Sequence, residues 1–156
     1  MSAASMSGFF YVLNEDARIL FVDDDPILRE FAQVNLASGT AHVDTAADGL
    51  EALEALDRQT YDLLLVDLEM PRMDGFELLR RLRENPATQH LPIVVETGRE
   101  DVEAIDRAFR AGATAFVTKP LNWRLLTYQL RFTLRAARAE ARLRAQAAVP
   151  TLQAAL

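Results

Sequence analysis

The sequence predicts an α/β fold, a doubly wound (βα)5 three-layer sandwich with a five-stranded parallel sheet and an extended C-terminal helix. Short apolar runs alternate five times with stretches of helical periodicity, which is the pattern of a parallel sheet covered on both faces. The clearest run, 63–66, is apolar throughout and is followed by Asp67 and Pro71, as expected for a strand buried on both sides. Half of the residues are apolar, which is enough for a core.

The elements follow one another in strict alternation. The predicted strands are 18–22, 42–45 (short, at an edge), 62–66, 92–96 and 113–117. The predicted helices are 26–37, 48–59, 76–85, 101–111 and 123–148. Pro26 stands at a first helical position behind three acidic residues, and Asp48 and Asn122 cap the second and fifth helices. Gly39 and Gly112 end the first and fourth helices, and Pro150 is expected to end the last one.

The predicted organisation is one domain with two appendages. Residues 1–17 are expected to form a flexible leader, 18–135 the α/β domain, and 136–156 a helical extension with coiled-coil character and a frayed end. The apolar patch 9–13 is too short for a signal peptide and follows no basic residue. No apolar run approaches the roughly 18 residues of a membrane span, so a cytoplasmic protein without membrane association is expected.

The charge is unevenly distributed. Residues 1–123 carry 22 acidic and 11 basic side chains, whereas 124–156 carry six arginines and one acid. An acidic body with a basic tail suggests two surfaces with different partners. The chain has no cysteine, which excludes disulfides and thiolate metal sites. It also has a single lysine, Lys119, against sixteen arginines, so that one compact ammonium group stands out.

Polar residues follow four of the predicted strands. These residues are Asp23, Asp24, Asp25, Asp67, Thr97 and Lys119. Because parallel strands end at the same edge of a sheet, these side chains are expected to lie close together. Crowded carboxylates repel one another unless a cation joins them, and oxygen ligands suit Mg²⁺.

A carboxylate beside such a cation can attack phosphorus and form an acyl phosphate. The phosphoryl oxygens then need a metal, an ammonium group and a hydroxyl donor, and Mg²⁺, Lys119 and Thr97 fill these roles around Asp67. Each residue also has an ordinary explanation. The acids at 23–25 could only cap a helix, Thr97 could cap the next one, and Lys119 could be a solvated base. Their joint position at strand ends favours a functional site.

Four motifs together resemble the receiver domain of two-component response regulators, the CheY-like fold. They are 19–26 (ILFVDDDP), 66–75 (VDLEMPRMDG), 96–98 (ETG) and 119–120 (KP), and the resemblance covers roughly residues 17–135. It implies that Asp67 is the phospho-acceptor. It further implies a Mg²⁺ site formed by Asp23, Asp24, Asp67 and the backbone carbonyl of Glu69, with Asp25 capping the helix instead.

The resemblance also assigns the switch residues. Lys119 would pair with the phosphoryl oxygens, and Thr97 would be the hydroxyl that moves toward them. Phe116 matches the aromatic whose inward or outward rotamer reports that movement, although it could instead be a plain core aromatic of the fifth strand.

The function implied is a phosphorylation-dependent switch. A sensor histidine kinase or phosphotransfer protein would donate a phosphoryl group to Asp67 with Mg²⁺. The face formed by the fourth helix, fifth strand and fifth helix would then change its preference for a partner or output domain. The chain would catalyse its own phosphorylation and dephosphorylation and would not be an enzyme for any other substrate.

Two other functions are compatible with part of the sequence. In a phosphatase of the haloacid-dehalogenase type, Asp23 would be the nucleophile and Asp25 the general acid, with Thr97 and Lys119 in matching roles. That family needs a further acidic pair after its lysine, and here only Glu140 follows Lys119. A scaffold without phosphorylation is disfavoured because every site residue is present.

The last helix allows three interpretations. Its positions Leu125, Phe132, Ala136, Ala139 and Leu143 have the spacing of a thin coiled-coil seam. It could be a solvated Ala- and Arg-rich helix, a parallel homodimer helix that transmits the switch, or a nucleic-acid contact through the arginines 131, 135, 138 and 142. The absence of a helix-turn-helix motif and the acidic body disfavour the third. The segment 119–126 resembles receivers that precede cyclic-di-GMP signalling modules, so such an output module is a candidate partner.

Overall fold

The fold is given by a computed structural model that describes the backbone of residues 16–98 and 102–155 and the side chains of these ranges up to 148. Five parallel strands form one sheet in the order β2-β1-β3-β4-β5. The strands are β1 (Ala17–Val22), β2 (Ala41–Ala46), β3 (Leu63–Asp67), β4 (Ile93–Thr97) and β5 (Ala115–Thr118). The predicted doubly wound α/β fold is therefore confirmed, and β2 is an edge strand as expected.

A helix follows each strand. The helices are α1 (Pro26–Leu36), α2 (Gly49–Arg58), α3 (Gly75–Glu84), α4 (Val102–Ala111) and α5 (Trp123–Ala155). Asp25, Asp48 and Asp74 begin the first three by accepting hydrogen bonds from backbone amides of the first turn. Asn122 does the same for α5, since its Oδ1 accepts from the Leu125 amide at 3.2 Å. Capping side chains thus fix the residue at which each of these four helices begins.

The core consists of two apolar layers, one on each face of the sheet. Alternate residues of the strands point to opposite faces. On one face, Leu20, Leu64 and Val66 pack against α2, α3 and α4. On the other, Phe21 and Leu65 pack against α1 and α5. Because helices cover both faces, β3 and β4 are buried along their whole length, which explains why their sequences are apolar up to the polar residues at their carboxyl ends.

Most predicted boundaries differ from the observed ones by one or two residues, but the end of α5 was predicted wrongly. The helix continues through Pro150 to Ala155 instead of ending near residue 148. A proline within a helix removes one backbone hydrogen bond and crowds the carbonyl group four residues earlier, but the alanines around Pro150 favour the helix and it continues. The domain division at 135 stays a prediction, because α5 crosses it without interruption. Strand β1 begins at Ala17, and residues 1–15 of the predicted leader lie outside the described residues.

Among the described residues, no helix is both long enough and apolar enough to cross a membrane.

Candidate functional site

The candidate site lies where the order of the strands reverses. The chain goes from β1 outward to β2 and then returns to the other side of β1 to form β3. In open α/β sheets, ligands bind at this point, beyond the carboxyl ends of the strands. Asp23 directly follows β1 and Asp67 ends β3, and both side chains are buried, at 0% and 4% exposure. The strand-end rule therefore placed these two carboxylates together correctly.

Two donors fix the Asp67 carboxylate. Its Oδ1 accepts a hydrogen bond from the backbone amide of Glu69 at 3.1 Å, and its Oδ2 accepts one from Lys119 Nζ at 3.1 Å. Helix α3 starts directly behind it, and a Cβ atom on Gly75 would lie 2.6 Å from the Asp67 carbonyl oxygen. The close approach of these two backbone segments explains why the motif needs a glycine at this position.

Lys119 is surrounded by three carboxylates. Its Nζ lies 3.1 Å from Asp67 Oδ2, 3.5 Å from Asp23 Oδ2 and 3.8 Å from Glu96 Oε1. Burial lowers the pKa of the ammonium group, but the charges of Glu96 and Asp67 outweigh burial and the net shift is upward. The only lysine of the chain is therefore held in its charged form at the site.

Sequence reasoning missed Glu96 as a site residue. It pairs with Asp67 in the register of β3 and β4, and its side chain is fully buried. Burial raises the pKa of the Glu96 carboxyl, and the neighbouring Asp23 carboxylate raises it further, to about 10. The available signal was a glutamate at the end of an apolar strand, directly before Thr97. The length of the strand does not show on which face of the sheet Glu96 lies. The sequence therefore predicted Glu96 only as part of a motif, without a role at the site.

The acidic residues next to Asp23 have different environments. Asp25 caps α1, since its Oδ1 accepts from the Ile27 amide at 2.9 Å, which confirms its predicted role. Asp24 is exposed and lies outside the cluster of buried carboxylates, which consists of Asp23, Asp67 and Glu96. Glu69 is also exposed, so its side chain points away from the buried cluster while its amide holds Asp67.

The cluster has the donor set of a site for a hard divalent cation. One carboxylate oxygen from each of Asp23, Asp67 and Glu96 lies within 4.8 Å of the others. Asp23 Oδ2 is buried and makes no hydrogen bond with any described residue. Burial also raises the pKa of Asp67, against the opposing effects of the Glu69 amide and Lys119. Buried carboxylates in this arrangement fit a cation such as Mg²⁺, which takes oxygen ligands.

The predicted switch residues lie at the same end of the sheet. Thr97 ends β4 with its side chain buried, and its carbonyl oxygen accepts a hydrogen bond from the Lys119 amide at 2.8 Å. Phe116 is 41% exposed and packs edge to face against Phe109 of α4, with ring centroids 6.2 Å apart. The alternative that Phe116 is a plain core aromatic is therefore wrong, because the ring lies on the outer surface.

A comparison with known protein families decides the identity of the fold. The family model of the response regulator receiver domain matches residues 19–131. The chain belongs to this family. It is a receiver of two-component signalling, with the CheY-like fold that the resemblance implied. Neither the family model nor the relatives support the haloacid-dehalogenase alternative.

Individual relatives agree with this assignment. The chain is 40% identical over 103 residues to a gliding motility regulatory protein of Myxococcus xanthus, covering 65% of this chain and 13% of that protein. It is 36% identical over 124 residues to a protein of Vibrio cholerae named as a probable cyclic di-GMP phosphodiesterase, covering 78% of this chain and 28% of that one. The chain thus spans well under a third of either relative.

A solved structure shows the same architecture. The chemotaxis response regulator CheY4 of Vibrio cholerae matches with a TM-score of 0.71 and 32% sequence identity, over 75% of this chain and 98% of CheY4. Because the match covers nearly all of CheY4, the receiver fold accounts for most of the described residues, and α5 extends beyond the family match at residue 131.

Proposed function

We propose that Asp67 is the phospho-acceptor of this receiver. The observation that carries the proposal is the position of its carboxylate, buried at the reversal point of the sheet and 3.1 Å from the only lysine of the chain. One Asp67 oxygen would attack the phosphorus of a phosphohistidine on a sensor histidine kinase or phosphotransfer protein. The new O–P bond forms as the P–N bond breaks, and the released imidazole recovers its proton from solvent.

The remaining site residues have distinct proposed roles. Asp23, Asp24, Asp67 and the Glu69 carbonyl would hold Mg²⁺, which supplies charge neutralisation for the carboxylates and the phosphoryl oxygens when bound. Lys119 Nζ would exchange its contact with Asp67 Oδ2 for a contact with the phosphoryl oxygens once Asp67 is phosphorylated. Thr97 would donate its hydroxyl to a third phosphoryl oxygen and draw the β4–α4 loop toward the site.

The output surface is proposed to be the face formed by α4, β5 and α5. Large apolar side chains are exposed there, namely Val102, Phe109, Phe116, Leu125 and Phe132. Such an exposed apolar patch is typical of a surface that binds a partner. Movement of Thr97 would reach this patch directly, because Phe116 follows on the neighbouring strand and contacts Phe109.

Two partners are proposed for this surface and for α5. Leu125, Phe132 and Leu143 of the predicted seam are all exposed, which supports a homodimer through α5. The name of the Vibrio cholerae relative supports a cyclic-di-GMP output module, either in the same chain or in another protein. Light scattering of the phosphorylated and unphosphorylated chain tests the dimer, which should form or strengthen on phosphorylation.

The test of the acceptor is intact-mass measurement after incubation with Mg²⁺ and a small acyl phosphate. The wild type should gain the mass of one phosphoryl group, and Asp67→Asn should gain none. Asp57→Asn, which makes the same chemical change at an exposed position of α2, should be labelled like the wild type. Phosphoryl labelling that persists in Asp67→Asn would refute the proposal. Labelling that persists in Asp67→Asn but is lost in Asp23→Asn would identify a different nucleophile.

A further inference from the structure

The most unusual group at the site is Glu96, to which the family resemblance assigns no role. Its side chain is fully buried beside Asp23 and Asp67, at the end of an otherwise apolar strand. Neither of its oxygens makes a hydrogen bond with a described residue, and Asp23 Oδ2 also makes none. A buried carboxylate without hydrogen-bond partners is strongly disfavoured, so its presence requires a compensating group.

Lys119 alone does not compensate for it. The ammonium group lies 3.8 Å from Glu96 Oε1, which is the longest of its three distances to carboxylates. Among the described residues, the ammonium group donates its hydrogen bond to Asp67 Oδ2, at 3.1 Å. Asp23 and Asp67 already share one ammonium group, so ionisation of Glu96 would add a further negative charge, which a divalent cation would cancel. The orphaned oxygens of Glu96 and Asp23 are therefore the natural ligands of that cation.

We propose that Glu96 is a direct ligand of the divalent cation in this receiver, together with Asp23 and Asp67. This inference rests on the proposed cation-dependent phospho-acceptor function. The three ligands come from the ends of β1, β3 and β4, and one oxygen of each lies within 4.8 Å of the others. Asp24, which the family motif implies as a ligand, is exposed at the rim, whereas Glu96 lies inside. The buried side of the site thus gains a carboxylate to which the resemblance assigns no ligand role.

A role for Glu96 only as the partner of Lys119 predicts different behaviour. A buried ion pair can usually be replaced by a well-packed apolar residue without loss of stability. The burial of a third carboxylate is explained better by a ligand role, since one oxygen of each of the three side chains lies within 4.8 Å of the others and both Glu96 oxygens lack a hydrogen bond with a described residue. A cation would stabilise the ionised form directly.

The first experiment is calorimetric titration of the full chain with MnCl₂ and with MgCl₂, without a phosphodonor. Glu96→Gln keeps the size of the side chain and removes its charge, and it should weaken binding of both ions at least about tenfold. Glu54→Gln makes the same change at an exposed position of α2 and should bind within about twofold of the wild type. Binding by Glu96→Gln within that same twofold range would overturn the proposal.

A second measurement separates direct ligation from a general effect of charge. In crystals of the wild type grown with MnCl₂, a Glu96 oxygen should lie in the first coordination shell of the ion. An ion bound by Asp23 and Asp67 with Glu96 outside that shell would refute direct ligation. Wild-type protein that binds neither ion would instead contradict the cation-dependent function itself, so the two failures are distinguishable.

Thermal unfolding shows that the variants fold and provides a third readout. Glu96→Val should unfold cooperatively without added cation at a Tm equal to or above that of the wild type, because it replaces a buried carboxyl group that makes no hydrogen bond with a described residue by an apolar side chain. Added MnCl₂ should raise the Tm of the wild type and raise that of Glu96→Val by much less. Equal Mn²⁺-induced shifts in both proteins would overturn the proposal.

Discussion

Replacing Gly75 by alanine should disturb the acceptor loop from behind. The backbone of α3 passes so close to the end of β3 that an added Cβ would lie 2.6 Å from the Asp67 carbonyl oxygen and 2.8 Å from Leu68 Cα. Both atoms belong to the backbone of the strand and loop that carry Asp67. They cannot move aside as the end of a flexible side chain could, so the strain must be relieved by shifting the loop or the start of α3.

The size of the shift follows from these distances. Ordinary Cβ contacts begin near 3.4 Å, so Gly75→Ala requires a displacement of about 0.8 Å at the Asp67 carbonyl. Overpacking of this kind typically costs about 1–3 kcal/mol of unfolding free energy, and contacts with backbone place this substitution at the upper end. Because a misplacement of about 1 Å can reduce a reaction rate by roughly 10²-fold, labelling of Asp67 should slow at least about tenfold.

Two assays test this reasoning. Urea unfolding followed by the fluorescence of Trp123 measures the loss of stability, and intact mass after timed incubation with an acyl phosphate and Mg²⁺ measures labelling. Gly39→Ala is the matched control, because a Cβ there meets no atom within 4 Å, and it should change neither quantity. An unfolding free energy of Gly75→Ala within about 0.5 kcal/mol of the wild type, with an unchanged labelling rate, would refute the argument.

Two further predictions concern the scaffold around the site. Burial raises the pKa of the Asp48 carboxyl, but the Glu51 amide and Arg72 outweigh burial and the net shift is downward. The ionised carboxylate therefore stabilises the fold above the unfolded pKa near 3.8, and this contribution is lost as the pH falls through the lower pKa of the folded state. Asp48→Asn should therefore lose about 1 kcal/mol at pH 7 and less at pH 3 in urea unfolding, and an equal loss at both pH values would contradict this. Arg83 donates to the Gly112 carbonyl at 2.9 Å and to the Leu91 carbonyl at 2.6 Å, so Arg83→Met should cost about 2–3 kcal/mol. Arg80→Met at an exposed position should cost clearly less than Arg83→Met, and similar losses for both variants would show that the hydrogen bonds of Arg83 contribute little.

The fold was predictable because its signals are local. Strands β3 and β4 are apolar until the polar residues at their carboxyl ends, and capping residues such as Asp48 and Asn122 stand at the starts of helices. The end of α5 was not predictable in this way. Pro150 is a local signal against a helix, yet it removes a single hydrogen bond from a segment rich in alanine, and the helix continues.

The site was predictable where it depends on strand ends alone. Asp23, Asp67, Thr97 and Lys119 each end or follow a strand, and parallel strands bring their ends to one edge regardless of detailed register. Glu96 depends on more than this. Whether it faces solvent or the cluster is set by the register of β4 against β3 and β5, where it pairs with Asp67 and Val117. Register is a property of the assembled sheet, and a shift by one residue would place this carboxyl on the opposite face.

The same register explains why the protein tolerates a carboxyl group at this depth. The face of the sheet on which Asp67 and Glu96 lie side by side is covered by α1 and α5, so water cannot solvate Glu96, and its pKa is raised to about 10. At a core position that binds no ligand, the cost of burying a carboxyl group would favour an apolar residue, as at the neighbouring Val94 and Val95. At this position the carboxyl group belongs to a cluster that is proposed to bind a divalent cation, and the two positive charges of the cation would stabilise the ionised carboxylates. Because the pKa of Glu96 is raised, binding of the cation would displace a proton from this carboxyl group, and the role of ligand gives Glu96 a physical reason to be acidic.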